Sequence, residues 1–436
     1  MNSNIYVIIF LLIIIIFSNY LYYQVVYKEH LTSPIPTVST ELFNQHPMTI
    51  IPKNDILNFS EIVNNNSVRK SAYNDILSFV NNDMTKIYNH SRTCILLNGF
   101  ATPVDYARNP GLEEKAIAAA KALAEQTKHC TSRGNTKNMA IEYQKDYQYV
   151  LVYLVSKDTK YADKIISRLI TWSNECKTII GGNAPLECSW AIVGFLRLQE
   201  ILMYTYPDGW KKSGIETQWN KFIDEVVFPH VLSMYKNNIV GGRGGDNWKT
   251  SSVLARLMYS KVRKDKTQFN ICIKNAYLVF DRLFGKYKTG QTSETARDIG
   301  HAQMGIGCLS QICEILYHHG IDLYSRNNNL LMKSYEFHAQ IILGKITQIQ
   351  DATGPGEGGI NYPKFKTAGD WDMVYNHYTN VKKKKMPFTE EVLSKNRPDN
   401  ELMMEHGLTT ITHYNGPSIK PTTSESYPYI ICPGSC

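Results

Sequence analysis

The chain has 436 residues, 47 Lys plus Arg against 39 Asp plus Glu, a formal charge of +8 and 43% hydrophobic content. That apolar content fills one large core or two ordinary ones and excludes a disordered chain. The mild basic excess suits an acidic partner without naming one, and the nine cysteines show no C-x-x-C spacing, so no metal is expected.

In chain order, the first feature is the run IYVIIFLLIIIIF at 5–17, which LYYQVVY extends to Tyr27. It is long enough to cross a bilayer as one helix. No A-x-A-like site follows, so residues 1–27 read as a transmembrane anchor, with a cleaved signal segment as the alternative. The flanking charges leave the orientation of an anchor ambiguous, and the expected location is membrane-anchored with a lumenal or extracellular body, or secreted. N-x-S sequons at Asn58, Asn65 and Asn89 fit that location. There some cysteines pair, and a Cys176–Cys188 bond would close a short loop. Cys308 and Cys313 point to different faces of one helix and do not bond each other.

Residues 28–70 are rich in Pro, Ser, Thr and Asn and read as a stalk or surface wrap. The body spans 71–420, with a tail at 421–436. Within it, 112–127 places Ala116, Ile117, Ala120, Leu123 and Ala124 on one stripe, and 160–173 does so with Ile165, Leu169 and Trp172. Further helices are expected at 189–206, 215–236, 249–264, 268–285, 300–319 and 330–347. GGNAP at 181–185, GGRGGDN at 241–247 and GPGEGG at 354–359 separate several of them; none matches a phosphate-binding loop. Alternating strand patterns are scarce before residue 350. The fold class is therefore all-α, and a toroid of helical hairpins accommodates so many helices better than a four-helix bundle.

The segment SETARDIGHAQMGIG at 293–307 crowds polar residues into the start of an apolar helix. A helix from Arg297 puts Arg297, His301 and Met304 on one face and Gln303 about a third of a turn away. The apolar stripe continues through Cys308, Ile312, Ile315 and Leu316 to Gly320, a C′ residue. The polar turn is either a buried Arg297 pair, with Asp298 or Glu294, beside a satisfied histidine, or the wall of a cleft.

ETARDIGHAQMGIGCLSQICEILYHHGIDLYS, together with GGDNWKTSSVLA, WDMVYNHYTN, MPFTEEVL, RPD, YADKIISRLITWS and the segment around Cys188-Ser189-Trp190, resembles the alginate-lyase-like polysaccharide lyases over roughly 100–400. The resemblance implies an (α/α) toroid with a cleft and β-elimination on a 1,4-linked uronic-acid polymer such as alginate or glucuronan. No organic cofactor and no nucleic-acid partner is implied. It places Asn247 and Arg297 on the substrate carboxylate, where the planar guanidinium matches the anion. Trp190 and Trp248 are stacking candidates or core residues.

The sequence departs from that family at the proton-transfer residues. Its tyrosine, about two turns after the arginine, falls here at Met304 or Gln303, and Trp248 follows Asn247 where alginate lyases have a histidine. His301 is then the first candidate base, with Tyr375, His377 and Tyr378 of YNHY in reserve and Tyr362 after them; Gln303, Tyr362 and Tyr378 are also substrate-binding candidates. Lys382–Lys385 is a solvated face or an electrostatic guide for an acidic chain. Two other readings stay open. One is a non-catalytic acidic-polysaccharide-binding surface protein derived from a lyase. The other is a glycoside hydrolase on a similar toroid, using carboxylates among Glu294, Glu357 and Asp370.

Overall fold

The structure, a computed structural model, describes residues 35–47, 49–84, 93–96, 134–234, 246–296, 299–346, 349–350, 369–398, 402–403 and 406–417. The apolar run at 1–27, the helix expected at 112–127, Asn89, Arg297, Glu357, Tyr362 and the tail at 421–436 lie outside them. The chain divides into Met1–Thr37 and Val38–Cys436, and the described elements belong to the second unit.

That unit opens with α1 (Thr40–Phe43), α2 (Lys53–Leu57), α3 (Phe59–Asn64) and α4 (Ser67–Met84), followed by the short strand β1 (Cys94–Leu96). Next come α5 (Gly134–Ser156), α6 (Thr159–Glu175), β2 (Thr178–Ile180), α7 (Ala184–Thr205) and α8 (Pro207–Ser213). α9 (Glu216–Phe222), a π-helical turn (Ile223–Val227) and α10 (Phe228–Ser233) precede α11 (Asp246–Val262) and α12 (Lys266–Phe284). α13 (Ile299–His318) and α14 (Arg326–Ile342) follow, then α15 (Trp371–Asn376) with a π-helical turn (His377–Val381) and α16 (Pro387–Asn396). β3 (Leu402–Met403), β4 (His406–Gly407) and α17 (Thr409–His413) close the list. β1 pairs parallel with β2 and β3 antiparallel with β4, so the unit is largely helical, as expected.

Local chemistry sets the helix ends. Asp158 caps α6 by accepting from the Lys160 N–H at 3.1 Å, and Asp265 caps α12 by accepting from Gln268 at 2.9 Å. Gly320 follows α13 with φ +78°, the left-handed stop expected of it. The helix expected at 215–236 runs without a gap from Glu216 to Ser233 but changes to π-helical pitch at Ile223–Val227. Pro229 has no N–H for the helical ladder, and the turn before it widens to π. The 38–63 stretch, expected as a stalk or wrap, carries short helices that bury Val38, Phe43, Ile56, Phe59 and Val63, and Ser60 Oγ donates to the Val155 carbonyl of α5 at 2.8 Å.

Helices α5, α7, α11 and α13 pack side by side in that order, and each is followed by a helix that packs back on it or its neighbour. Their contacts keep step. A Cβ on Gly194 would meet the Tyr143 ring, and the Arg197 guanidinium lies 4.9 Å over the Tyr147 ring. Trp190 bonds Ser251, and Ser251 bonds Cys308. The four helices therefore run parallel, with their N-terminal ends at one rim. Behind them Phe195 packs edge-on to Trp219 at 5.3 Å and near Trp172 at 6.2 Å.

One expectation about the envelope is not met. Cys176 and Cys188 are both free thiols, so the expected loop closure is not made. Cys176 is buried as the C-cap of α6, and Cys188 is buried inside α7. Among the described residues no helix is long and apolar enough to cross a membrane. One backbone approach gives a stability test. Gly290 has φ +105°, and a Cβ there would stand 2.3 Å from the Lys333 carbonyl oxygen of α14. Gly290→Ala should lower the unfolding free energy by about 2 kcal/mol or more, read from a urea midpoint.

Candidate active site

The N-terminus of α11 carries the first functional group. Asn247 is 1% exposed, yet neither Nδ2 nor Oδ1 of its amide has a hydrogen-bond partner among the described residues. Leaving a buried polar group unpaired costs about 1–3 kcal/mol, so an amide orphaned at both ends calls for a reason. Its surroundings hold it rather than satisfy it. The Asn247 N–H donates to Glu294 Oε1 at 3.2 Å. Its Cα lies 3.8 Å from where a Cβ on Gly305 of α13 would sit.

Gly305 is one turn beyond His301, on the same face of α13. His301 is half-buried and thus stands one turn above the point where α13 meets Asn247. Helix α13 is described from Ile299, and Arg297 precedes it outside the described residues. The turn that leads there is pinned from several sides. The Ser293 N–H donates to the Leu283 carbonyl at 2.8 Å, and Ser293 Oγ donates to Asp246 Oδ2 at 2.5 Å. Thr295 Oγ1 accepts from the Thr292 N–H at 2.9 Å and pairs with His338 Nε2 at 3.0 Å.

Charge is concentrated at this corner. Arg282 binds Asp246, Lys249 lies 3.9 Å from Asp246 and is 4% exposed, and Glu294 is 5% exposed. Burial, aided by the nearby Arg282, lowers the Lys249 pKa against the pull of Asp246 and Glu294. His338 behind the turn is fully buried, and burial lowers its pKa to about 4. Its Nδ1 lies 2.8 Å from the Ser334 carbonyl, which calls for the neutral Nδ1–H form. The unfolded chain takes up this proton near pH ~6.5, and the folded chain only near 4. The contribution of His338 to stability is therefore complete above ~6.5 and disappears as the pH falls through about 4. His338→Gln should flatten the plot of unfolding free energy against pH across that window.

The other sequence candidates are scattered. Gln303 is fully buried and accepts from Trp371 Nε1 at 3.1 Å, and Met304 is 2% exposed. Trp190 is 6% exposed and spends its N–H on Ser251 Oγ at 3.1 Å, which makes it a tie between α7 and α11. Trp248 is half-buried beside Asn247.

The YNHY residues sit elsewhere. Tyr375 is half-buried, with Arg397 5.4 Å from its ring. Burial, with help from Glu390, raises its pKa to about 12. His377 stacks on Tyr324 at 3.6 Å and has Nδ1 3.7 Å from Glu314 Oε2; burial lowers its pKa to about 4. Tyr378 is fully buried and donates to the Tyr324 carbonyl at 2.8 Å. Glu314 and Tyr324 lie at the far end of α13 from Gly305, so His377 and Tyr378 are core residues well removed from Asn247.

Sequence reasoning also missed a buried network below the Asn247 level. Cys308 Sγ is 3.5 Å from His406 Nε2, and His406 Nδ1 is 2.9 Å from Asp370 Oδ2. Asp370 also accepts from Gln311 Nε2 at 2.9 Å and the Gly407 N–H at 3.1 Å, and Arg197 donates to Gln311 Oε1 at 2.6 Å. These partners come from four distant stretches of chain, and no short motif signals them. Among the described residues no cluster of His, Cys, Asp or Glu is placed to hold a metal.

Known proteins bear on this arrangement. The crystal structure of an alginate lyase from Bacteroides ovatus superposes with a TM-score of 0.51 at 12% identity, covering 84% of this chain and 99% of that one. Alginate lyase A1-III from Sphingomonas species A1 gives 0.45 at 11% identity, covering 84% and 98%. A variant of A1-III complexed with a tetrasaccharide gives 0.45 at 12% identity, covering 87% and 99%. No curated relative matches the sequence. The alginate lyase family model matches residues 121–348, just over half of the chain and including α7, α11 and α13. The chain belongs to the alginate lyase family.

Proposed function

We propose that this polysaccharide lyase cleaves a 1,4-linked uronan, alginate or glucuronan, by β-elimination, with its helical hairpins closing as an (α/α) toroid. The observation that carries the proposal is the buried Asn247 amide, unpartnered among the described residues, one turn along α13 from His301. The C5 proton of a uronic acid is barely acidic while the adjacent carboxylate is charged. Donors on that carboxylate stabilise the enolate-like intermediate, most effectively where water is excluded. Asn247 Nδ2 supplies one such donor and the Arg297 guanidinium the other. The base takes the C5 proton, the C4–O4 bond breaks, a C4–C5 double bond forms, and the protonated base gives its proton to the departing O4. His301 is the assigned base, because Gln303 and Met304 in the family's tyrosine place are buried and cannot carry a proton.

A hydrolytic reading has less support. Asp370 is held by His406, Gln311 and Gly407, and Glu294 accepts from Asn247, so neither is free to act as one of a carboxylate pair. The buried Gln303 and Met304 keep one competitor in view, a binding protein that has lost turnover. Incubation with alginate and glucuronan decides between them. Elimination gives new ultraviolet absorbance from the unsaturated end, and Arg297→Ala removes it. Salt-sensitive binding with no absorbance across the uronans would establish the competitor instead.

A further inference from the structure

The geometry points to a second binding surface for acidic polysaccharide, at the opposite rim from Asn247 and built from Lys383, Lys384, Lys385, Asn327 and Asn328. Two left-handed segments meet there. Asn327, Asn328 and Asn329 open α14 with φ of 50°, 58° and 57°, and Lys383 follows the second π-helical turn with φ 55°. Lys382 ties the segments together: it pairs with Asp322 and donates to Ser325 Oγ at 2.9 Å. The Lys384 N–H closes the turn on the Tyr378 carbonyl at 2.8 Å.

Glycine is the usual residue at such a left-handed helix stop, and a lysine there is strained. Lys157 and Lys264 take the same conformation after other helices, so what singles out this turn is the run of lysines. Lys382 already places a cation at the end of the turn, and the next three lysines are surplus to it. Lys383, Lys384 and Lys385 are exposed and have no carboxylate partner among the described residues. The rim carboxylates are already matched, Asp322 by Lys382 and Asp281 by Arg326 and Asn327. Asn327 and Asn328 are exposed beside them. Ammonium groups answer carboxylates and amides answer hydroxyls, and an acidic sugar chain carries both.

The surface lies beyond the C-terminal end of α13, about 20 Å along the helix from Gly305, so it is separate from the catalytic corner. The choice of polysaccharide over other polyanions rests on the proposed lyase function, whereas the binding itself does not. The test compares wild type, a Lys383→Ser/Lys384→Ser/Lys385→Ser triple variant and the matching triple Lys→Arg variant, each checked for an unchanged thermal transition. Dissociation constants for long-chain alginate and for a DNA duplex are measured at low and high salt, beside turnover of short uronan oligosaccharides. The serine variant should bind alginate about tenfold more weakly at low salt, with the difference lost at high salt. The arginine variant should bind like wild type, and short-substrate turnover should be the same in all three. Equal alginate binding by wild type and the serine variant, or tighter binding of DNA than of alginate, would overturn the assignment. Weakened binding without turnover of any uronan supports this surface and sinks the lyase reading; turnover with unaltered binding does the reverse.

Discussion

Asn247→Ala is expected to cut eliminative turnover by about 100- to 1,000-fold while leaving the melting temperature unchanged or higher. The two halves of that result have one cause. The amide has no partner among the described residues, so its removal breaks none of their hydrogen bonds and relieves a buried group that they leave unsatisfied. Its backbone bond to Glu294 survives, since any residue supplies that N–H. A purely structural asparagine would behave the other way, with loss of stability and activity falling only as the protein unfolds. Initial rates on a uronan, read beside a thermal melt, separate the cases.

Asp370→Ala should be the most destabilising single change, by about 3–5 kcal/mol in a urea unfolding experiment. Asp370 is fully buried and accepts from His406, Gln311 and the Gly407 N–H at once. Its loss removes three hydrogen bonds at once from a buried region that also holds Arg197 through Gln311. The network joins α7, α13, the segment before α15, and β4, so the damage spreads across the row of parallel helices that presents Asn247. Asp370→Asn keeps part of the hydrogen bonding and should cost less.

How much of this was legible in the sequence depended on the range of the interaction. The α13 stripe of Cys308, Ile312, Ile315 and Leu316 is buried and ends at Gly320, because helical periodicity and a left-handed stop are local properties. Asn247 and His301 were legible as candidates from motif order, and the structure adds their shared corner through Gly305. The YNHY segment shows the limit. Its residues look chemically equipped, yet His377 and Tyr378 are packed against Tyr324, because a six-residue helix running into a π-helical turn points them inward. Asp370 was read only as a possible hydrolase carboxylate and His406 gave no signal, since their partners lie tens of residues away and only the packing of parallel helices brings them together.

The most direct test is a crystal structure of the His301→Ala variant, slowed at the assigned base, with a uronan oligosaccharide bound. A carboxylate oxygen of the sugar should lie within hydrogen-bond distance of Asn247 Nδ2, with the Arg297 guanidinium on the same group. A sugar bound in another groove, with the Asn247 amide still unpaired or turned onto a protein group, would contradict the assignment of that amide to the substrate.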